Sequence, residues 1–226
     1  MEKILGLHIS QDLSFTQHLS THKDSVLSKL KKRVGALKQL RKVTTFRTRL
    51  SIANAIFMSV LTYSMPVWSG TAGYLLAALQ TVQAEAARVV TGRNWDLTGP
   101  GPRRVSTADL LKQCGWLSVE QLGAFTSLIE LKKVLIHKEP KYLYDKLMPR
   151  PEHQGAHGTR QNFHHTDTGL ESNGKLEIAT CRLEIARDSW RWRAPTIYNT
   201  LPTDYRSETS LAIFKSKVKV WAREHF

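Results

Sequence analysis

Acidic residues are scarce in this chain: 19 Asp and Glu stand against 33 Lys and Arg, for a formal net charge of +14. The eight aspartates (Asp12, Asp24, Asp96, Asp109, Asp145, Asp167, Asp188 and Asp204) are scattered singly. No adjacent acidic pair of the kind that holds two magnesium ions is among them. A Walker-type phosphate loop and a Gly-x-Ser-x-Gly nucleophile elbow are equally missing. Only two cysteines occur, Cys114 and Cys181, 67 positions apart. They define neither a disulfide framework nor a finger-like metal spacing, and isolated thiols fit a reducing, intracellular compartment, nuclear or cytoplasmic. Cys114 stands before the helix-stopping Gly115, with no sign of an activated thiolate. The N-terminus runs straight into alternating sequence rather than a signal peptide. Long hydrophobic runs are lacking too. No charge falls between Arg49 and Glu85, yet Asn54, Ser59, Ser64, Pro66, Gly70 and Gly73 interrupt that stretch. No segment of about 20 apolar residues remains to cross a membrane. The expectation is a chain with no catalytic residues, no metal, no cofactor and no membrane partner.

What the chain does have is positive charge in one place. Between Lys23 and Arg49 stand ten Lys or Arg residues and a single acid, Asp24, a local net charge of +9. Such a concentration favours a polyanionic partner, nucleic acid ahead of acidic lipid; the plain alternative is a well-solvated helix face. The charge lies on the first of two consecutive helices. One is expected over about Lys23 to Val43, with Leu27, Leu30, Val34 and Leu37 on its apolar stripe. The other, over about Phe46 to Tyr63, is carried by Leu50, Ala53, Ile56, Phe57, Val60 and Leu61, with Thr44 or Thr45 as N-cap. A basic helix hinged to an almost uncharged one reads as a wet face mounted on a buried strut.

Around this pair the chain is expected to be mainly α, with a short N-terminal β-hairpin, a helical bundle and a C-terminal helical arm. The hairpin is placed at residues 4–15, with Leu5, Leu7 and Ile9 alternating, Ser10-Gln11-Asp12 as the turn, and Leu13 and Phe15 resuming. His18 and His22 are read as residues at the start of the helix rather than a metal pair. Pro66 is expected to end the second helix. A third follows from about Tyr74 to Thr91 with Gly92 as its left-handed cap, then a Gly- and Pro-rich surface loop to Arg104. Ser106 with Asp109, and Ser118 with Gln121, have capping-box spacing. They open helices that end at Gly115 and Pro140, and a short helix runs from Tyr142 to Met148.

Residues 150–176 are polar and read as a linker. Its His153, His157, His164 and His165 lack any cysteine at zinc-finger spacing. Beyond it Arg182, Arg187, Arg191 and Arg193 interleave with Trp190 and Trp192. Arginine beside indole can grip phosphate and stack on bases, or the indoles can simply anchor the arm to its core. A second amphipathic basic helix closes the chain from about Thr209 to Arg223. The domain reading is 1–22 hairpin and approach to the first helix, 23–149 helical domain, 150–176 linker, and 177–226 basic, aromatic arm.

One succession of motifs is shared with a known family. It starts with Leu5-Gly6-Leu7-His8-Ile9, Leu13-Ser14-Phe15 and His18, and continues through Leu37-x-x-Leu40-Arg41 and Leu61-x-Tyr63-x-x-Pro66-Val67-Trp68. Val82-Gln83 with Arg88-Val89-Val90-Thr91-Gly92 follows, and Arg193-Ala194-Pro195-x-x-Tyr198-Asn199-x-Leu201-Pro202 with Phe214-Lys215 closes it. In order and spacing this resembles the C-terminal part of reverse transcriptases of non-LTR retrotransposons. Tyr198 stands where that family usually has Trp. The resemblance implies a primer-grip hairpin followed by a thumb that clamps a template–primer duplex. In that family the paired aspartates that bind the catalytic metals precede these motifs, and they are not in this chain. No polymerase activity is therefore expected of it alone.

The expected nucleic-acid-binding residues are Lys29, Lys31, Lys32, Arg33, Lys38, Arg41, Lys42 and Arg47, with Arg191 and Arg193 from the arm. The expected partner is an RNA/DNA hybrid or duplex bound without sequence preference. The rival is a protein partner, or self-association through surface left apolar by the missing palm.

Overall fold

The computed structural model describes residues 2–93, 95–96, 103–147, 175–176, 178 and 182–226. The polar stretch up to residue 174, with its four histidines, and Cys181 lie outside the described residues, so the linker reading is not addressed. The chain forms two compact units, residues 1–123 with Phe226, and residues 124–225. It is mainly helical with a short N-terminal hairpin, as expected.

In the first unit, β1 (Glu2–Ile4) and β2 (Leu7–Ile9) pair antiparallel, Glu2 opposite Ile9 and Ile4 opposite Leu7. The hairpin thus sits earlier than its expected place. Its turn is Leu5-Gly6, with φ of +49° and +83°, and two positive φ values make the primed turn that suits the twist of paired strands. Leucine is an unusual first residue there, which hid the turn. The segment expected as the second strand is instead a closed loop: Leu13 N–H donates to Ser10 O (3.0 Å) and Ser14 N–H to Asp12 Oδ1 (3.2 Å). A π-helical turn, Gln17–Thr21, leads from it towards α1 (Val26–Leu40).

Ser25 caps α1, its Oγ accepting from Ser28 N–H at 3.2 Å, so the helix starts three residues later than Lys23 and buries Val26 where Leu27 was expected. Leu30, Val34 and Leu37 complete the buried stripe. Thr45, not Thr44, caps α2 (Phe46–Ala53), which passes through a π-helical segment, Asn54–Met58, into α3 (Ser59–Thr62). This helical run ends at Tyr63 and at Ser64, whose φ is +51°. Pro66 does not end it. It lies in the first turn of α4 (Met65–Trp68), where its missing N–H costs no helical bond.

The spine is α5 (Gly73–Thr91), with Leu75, Leu79, Val82, Ala86 and Val89 buried and Gly92 at φ +73° as its cap. Both α1 and α2 pack on it from one direction of the chain and α6 (Thr107–Cys114) from the other. Part of the expected loop between α5 and α6 is paired: β3 (Trp95–Asp96) lies antiparallel to β4 (Arg103–Arg104). Trp116, after α6, stacks on Phe57 at 6.1 Å between ring centroids and donates its Nε1–H to Asn54 Oδ1 at 2.8 Å. The indole therefore fills the surface of the π-helical segment. Ser118 and Gln121 form the full reciprocal capping box of α7 (Val119–His137): Gln121 Oε1 accepts from Ser118 N–H (2.9 Å) and Ser118 Oγ from Gln121 N–H (3.2 Å).

The second unit takes most of α7, then α8 (Lys141–Leu147), α9 (Glu184–Arg187), α10 (Trp190–Thr200), α11 (Thr203–Arg206) and α12 (Leu211–His225). Leu128, Leu131, Tyr198, Leu201, Phe214, Val218 and Trp221 form its core. Two buried cations organise the turn after α10. Lys132 Nζ donates to Arg206 O (2.7 Å) and lies 5.2 Å from the centre of the Phe214 ring. Arg206 in turn donates to Asn199 O, Leu201 O and Thr203 Oγ1, and Tyr198 donates its hydroxyl to Arg206 O at 3.1 Å.

Candidate nucleic-acid interface

On α1 the basic side chains flank an exposed face. Lys31 and Lys38 stand seven residues apart along one edge, with Lys42 following in the turn after the helix, and Lys29, Lys32 and Arg33 fall along the other. Between them the exposed face holds only small or neutral residues, Gly35, Ala36 and Gln39 among them. Arg47 projects from the first turn of α2 and is exposed. All seven of these cations, with Arg41, are solvent-exposed, and α1 buries its opposite stripe on α5.

Hydrogen bonding divides the expected contacts into two classes. Lys38 is paired with Glu85 of α5 at 2.5 Å, and Arg41 Nη2 donates to Gly92 O at 2.9 Å. Both are engaged in holding α1 to the end of α5. Among the described residues the side chains of Lys29, Lys31, Lys32, Arg33, Lys42 and Arg47 make no hydrogen bond or ion pair. These six are available to a polyanion. The two arm residues lie in the second unit: Arg191 is exposed and donates to Lys146 O at 3.3 Å, and Arg193 on α10 is half-buried and engaged. Trp190 is half-buried, packed on the core of that unit, and donates to Ser127 O at 3.3 Å. Of the two readings of that indole, anchoring fits.

Arg49 counted towards the basic run but is part of the scaffold. It is buried, donating its Nε–H to Val90 O (3.0 Å) and its Nη1 to Arg41 O (2.9 Å) and Thr44 O (2.5 Å). Arg41 and Arg49 thus converge on the last carbonyls of α5, where cations are favoured by the helix dipole, and they fix the turn that joins the basic helix to α2. A charge count cannot separate such a residue from a solvated one. The clue was its place: Arg49 sits one helical turn before Ala53, on the stripe that Ala53, Phe57 and Leu61 continue.

The hairpin end carries a second grouping. His8 and His22 stack with ring centroids 4.3 Å apart, and His18 lies 6.2 Å from His8. His22 accepts Asp24 N–H on its Nδ1 (3.0 Å), at the start of the helix as expected, while His8 and His18 are buried. Among the described residues no group of three His, Cys, Asp or Glu side chains is arranged to hold a metal ion. Cys114 is buried, and burial pushes its thiol up to about 11, which disfavours the thiolate. No helix among the described residues is long and apolar enough to cross a membrane. Comparison with protein-family models, with curated proteins and with solved structures gives no match.

Proposed function

We propose that this chain is a sequence-nonspecific nucleic-acid-binding module of the reverse-transcriptase thumb type, which grips a template–primer duplex through α1 and does not polymerise by itself. The observation that carries this reading is the division of the basic run. Six cations of α1, α2 and the turn between them make no side-chain hydrogen bond or ion pair among the described residues, while Lys38, Arg41 and Arg49 spend their charge holding that face on α5. A basic face that only kept the protein soluble would need no such mounting. The order of motifs shared with non-LTR retrotransposon reverse transcriptases supports the same reading. An RNA/DNA hybrid or duplex is the proposed ligand.

The test is an anisotropy titration of labelled hybrid and duplex at 50 to 200 mM salt. If the six free cations each neutralise one phosphate, log K falls with log salt at a slope of roughly −5, about a thousandfold loss of affinity across that range. A flat response would refute the proposal. A second reading is favoured by the surface beside the hairpin. Leu5 is 84% and Leu13 61% exposed, and Tyr63, whose hydroxyl donates to Leu5 O at 2.6 Å, is exposed as well. Apolar exposure of this kind fits a protein partner or self-association. Light scattering separates the two: a monomer that binds hybrid supports the first, a nucleic-acid-indifferent oligomer the second.

A further inference from the structure

The imidazole cluster has no place in phosphate binding, and its construction is unusual. His18 is 3% and His8 6% exposed, and neither ring nitrogen of His18, nor Nδ1 of His8, meets a hydrogen-bonding partner. Buried polar atoms are normally paired, so an imidazole left bare on both nitrogens marks a site held for another reason. The three rings come from three segments: His8 from β2, His18 from the π-helical turn, and His22 from the residues before α1. Lys3 of β1 and Lys29 of α1 also face His8, and Lys29 faces His18; Asp24 is the one acid acting on the cluster.

We propose that His8 and His18, packed with His22, form a proton-operated latch, which holds the hairpin on the π-helical turn while those two rings are neutral and releases it on acidification below about pH 6. The physical drive is simple. His8 stacks on His22, and the His8 and His18 rings are buried as their neighbours Leu7 and Leu19 are. Adding a proton puts charge into a dry site beside a second imidazole and two lysines, against one carboxylate. Burial and the neighbouring His8 and Lys29 already hold His18 down at about 4, and burial followed by His22 and the lysines lowers His8.

The sign follows from linkage. An open hairpin leaves His18 near its ordinary value of about 6.5, so the open form binds the proton first and opening grows as pH falls from about 6.5 towards 4. The hairpin is the part that yields. Its strands have three residues each, β1 is wholly exposed, and two strands alone are marginal in water, whereas α1 is fastened to α5 by its buried stripe.

Residue-resolved amide exchange by NMR, expressed as protection against the intrinsic rate at each pH, tests this on the full chain. Between pH 7 and pH 5, protection over Leu7–Ile9 and Gln17–His22 is expected to fall, by a ceiling of about 20-fold from His18 alone. Protection within α5 is expected to stay constant. His18→Leu removes the bare nitrogens and abolishes most of the pH dependence. His22→Gln, at a half-buried position that leaves the core intact, reduces it. Equal protection at both pH values, α5 opening in step with the hairpin, or an unchanged pH dependence in both variants would overturn the latch. The outcome does not depend on nucleic-acid binding, since no ligand is present.

Discussion

Replacing Arg49 by methionine separates the two roles of positive charge in this molecule. Methionine keeps an unbranched apolar stem in the buried position but cannot donate to Val90 O, Arg41 O and Thr44 O. Three charge-assisted bonds at about 1–1.5 kcal/mol each, less roughly 1 kcal/mol for no longer burying a guanidinium, leave a loss of about 3 kcal/mol. The loss concentrates where the bonds end, at the last turn of α5 and at the turn between α1 and α2. A single melting curve would mix this unit with the other, so amide exchange within α5 is the better measure. It should accelerate by about a hundredfold, the equivalent of roughly 3 kcal/mol. Arg49→Lys, with one compact donor group in place of a fork, should recover less than half of that. The salt slope of duplex binding should not change in either variant. If α5 exchange moves by less than about threefold, or if the salt slope drops by one contact, Arg49 belongs to the ligand face and the division of charges is wrong.

Other outcomes follow from the same geometry. Lys32→Ala, at an exposed position without a protein partner, should lower the salt slope by about 0.9 and leave stability within about 0.5 kcal/mol. Gly92→Ala should destabilise the first unit by about 1 kcal/mol, read from denaturation. An added Cβ there meets nothing closer than 3.9 Å, so the cost is that of φ +73° alone. The Cys114 peptide should stay unlabelled by a thiol reagent at pH 8 until the chain is denatured, because burial raises the thiol to about 11. Lys132→Ala should cost about 2–3 kcal/mol in the second unit, measured by exchange in α12. It removes a buried donor to Arg206 O and a side chain that covers the Phe214 and Tyr198 rings, while Lys132→Met should cost less because the stem survives.

The parts of the fold that were legible in the sequence are those where local chemistry and packing agree. The α5 stripe with its Gly92 cap and the Ser118–Gln121 box follow from residue types at fixed spacing, and the structure realises both; of the two threonines offered as the cap of α2 it uses Thr45. What was misplaced depends on side-chain contacts that the local residue types do not announce. The hairpin turn at Leu5-Gly6 uses a leucine at φ +49°, a conformation that local preference disfavours. It is tied down by Tyr63, 58 residues away, whose hydroxyl reaches Leu5 O. Likewise Pro66 signals a helix end, but the end lies two residues earlier at Ser64, because Trp68 turns back to donate its indole N–H to Tyr63 O at 2.9 Å.

The candidate interface shows the same limit in electrostatic form. Every cation between Lys23 and Arg49 contributes equally to a charge count, yet the structure ranks them by what they touch. Lys38 meets a carboxylate, Arg41 and Arg49 meet backbone carbonyls at the negative end of α5, and the side chains of the remainder make no hydrogen bond or ion pair among the described residues. The first three gain little if a phosphate arrives, since they are already engaged. The others can neutralise phosphates and so release the cations condensed on a polyanion, and counterion release is what supplies affinity to a nonspecific nucleic-acid binder. A basic run is therefore informative about binding only after the charges spent on mounting it are subtracted. For this helix the subtraction leaves enough for a measurable salt dependence, and that dependence is the quantity on which the proposed function stands.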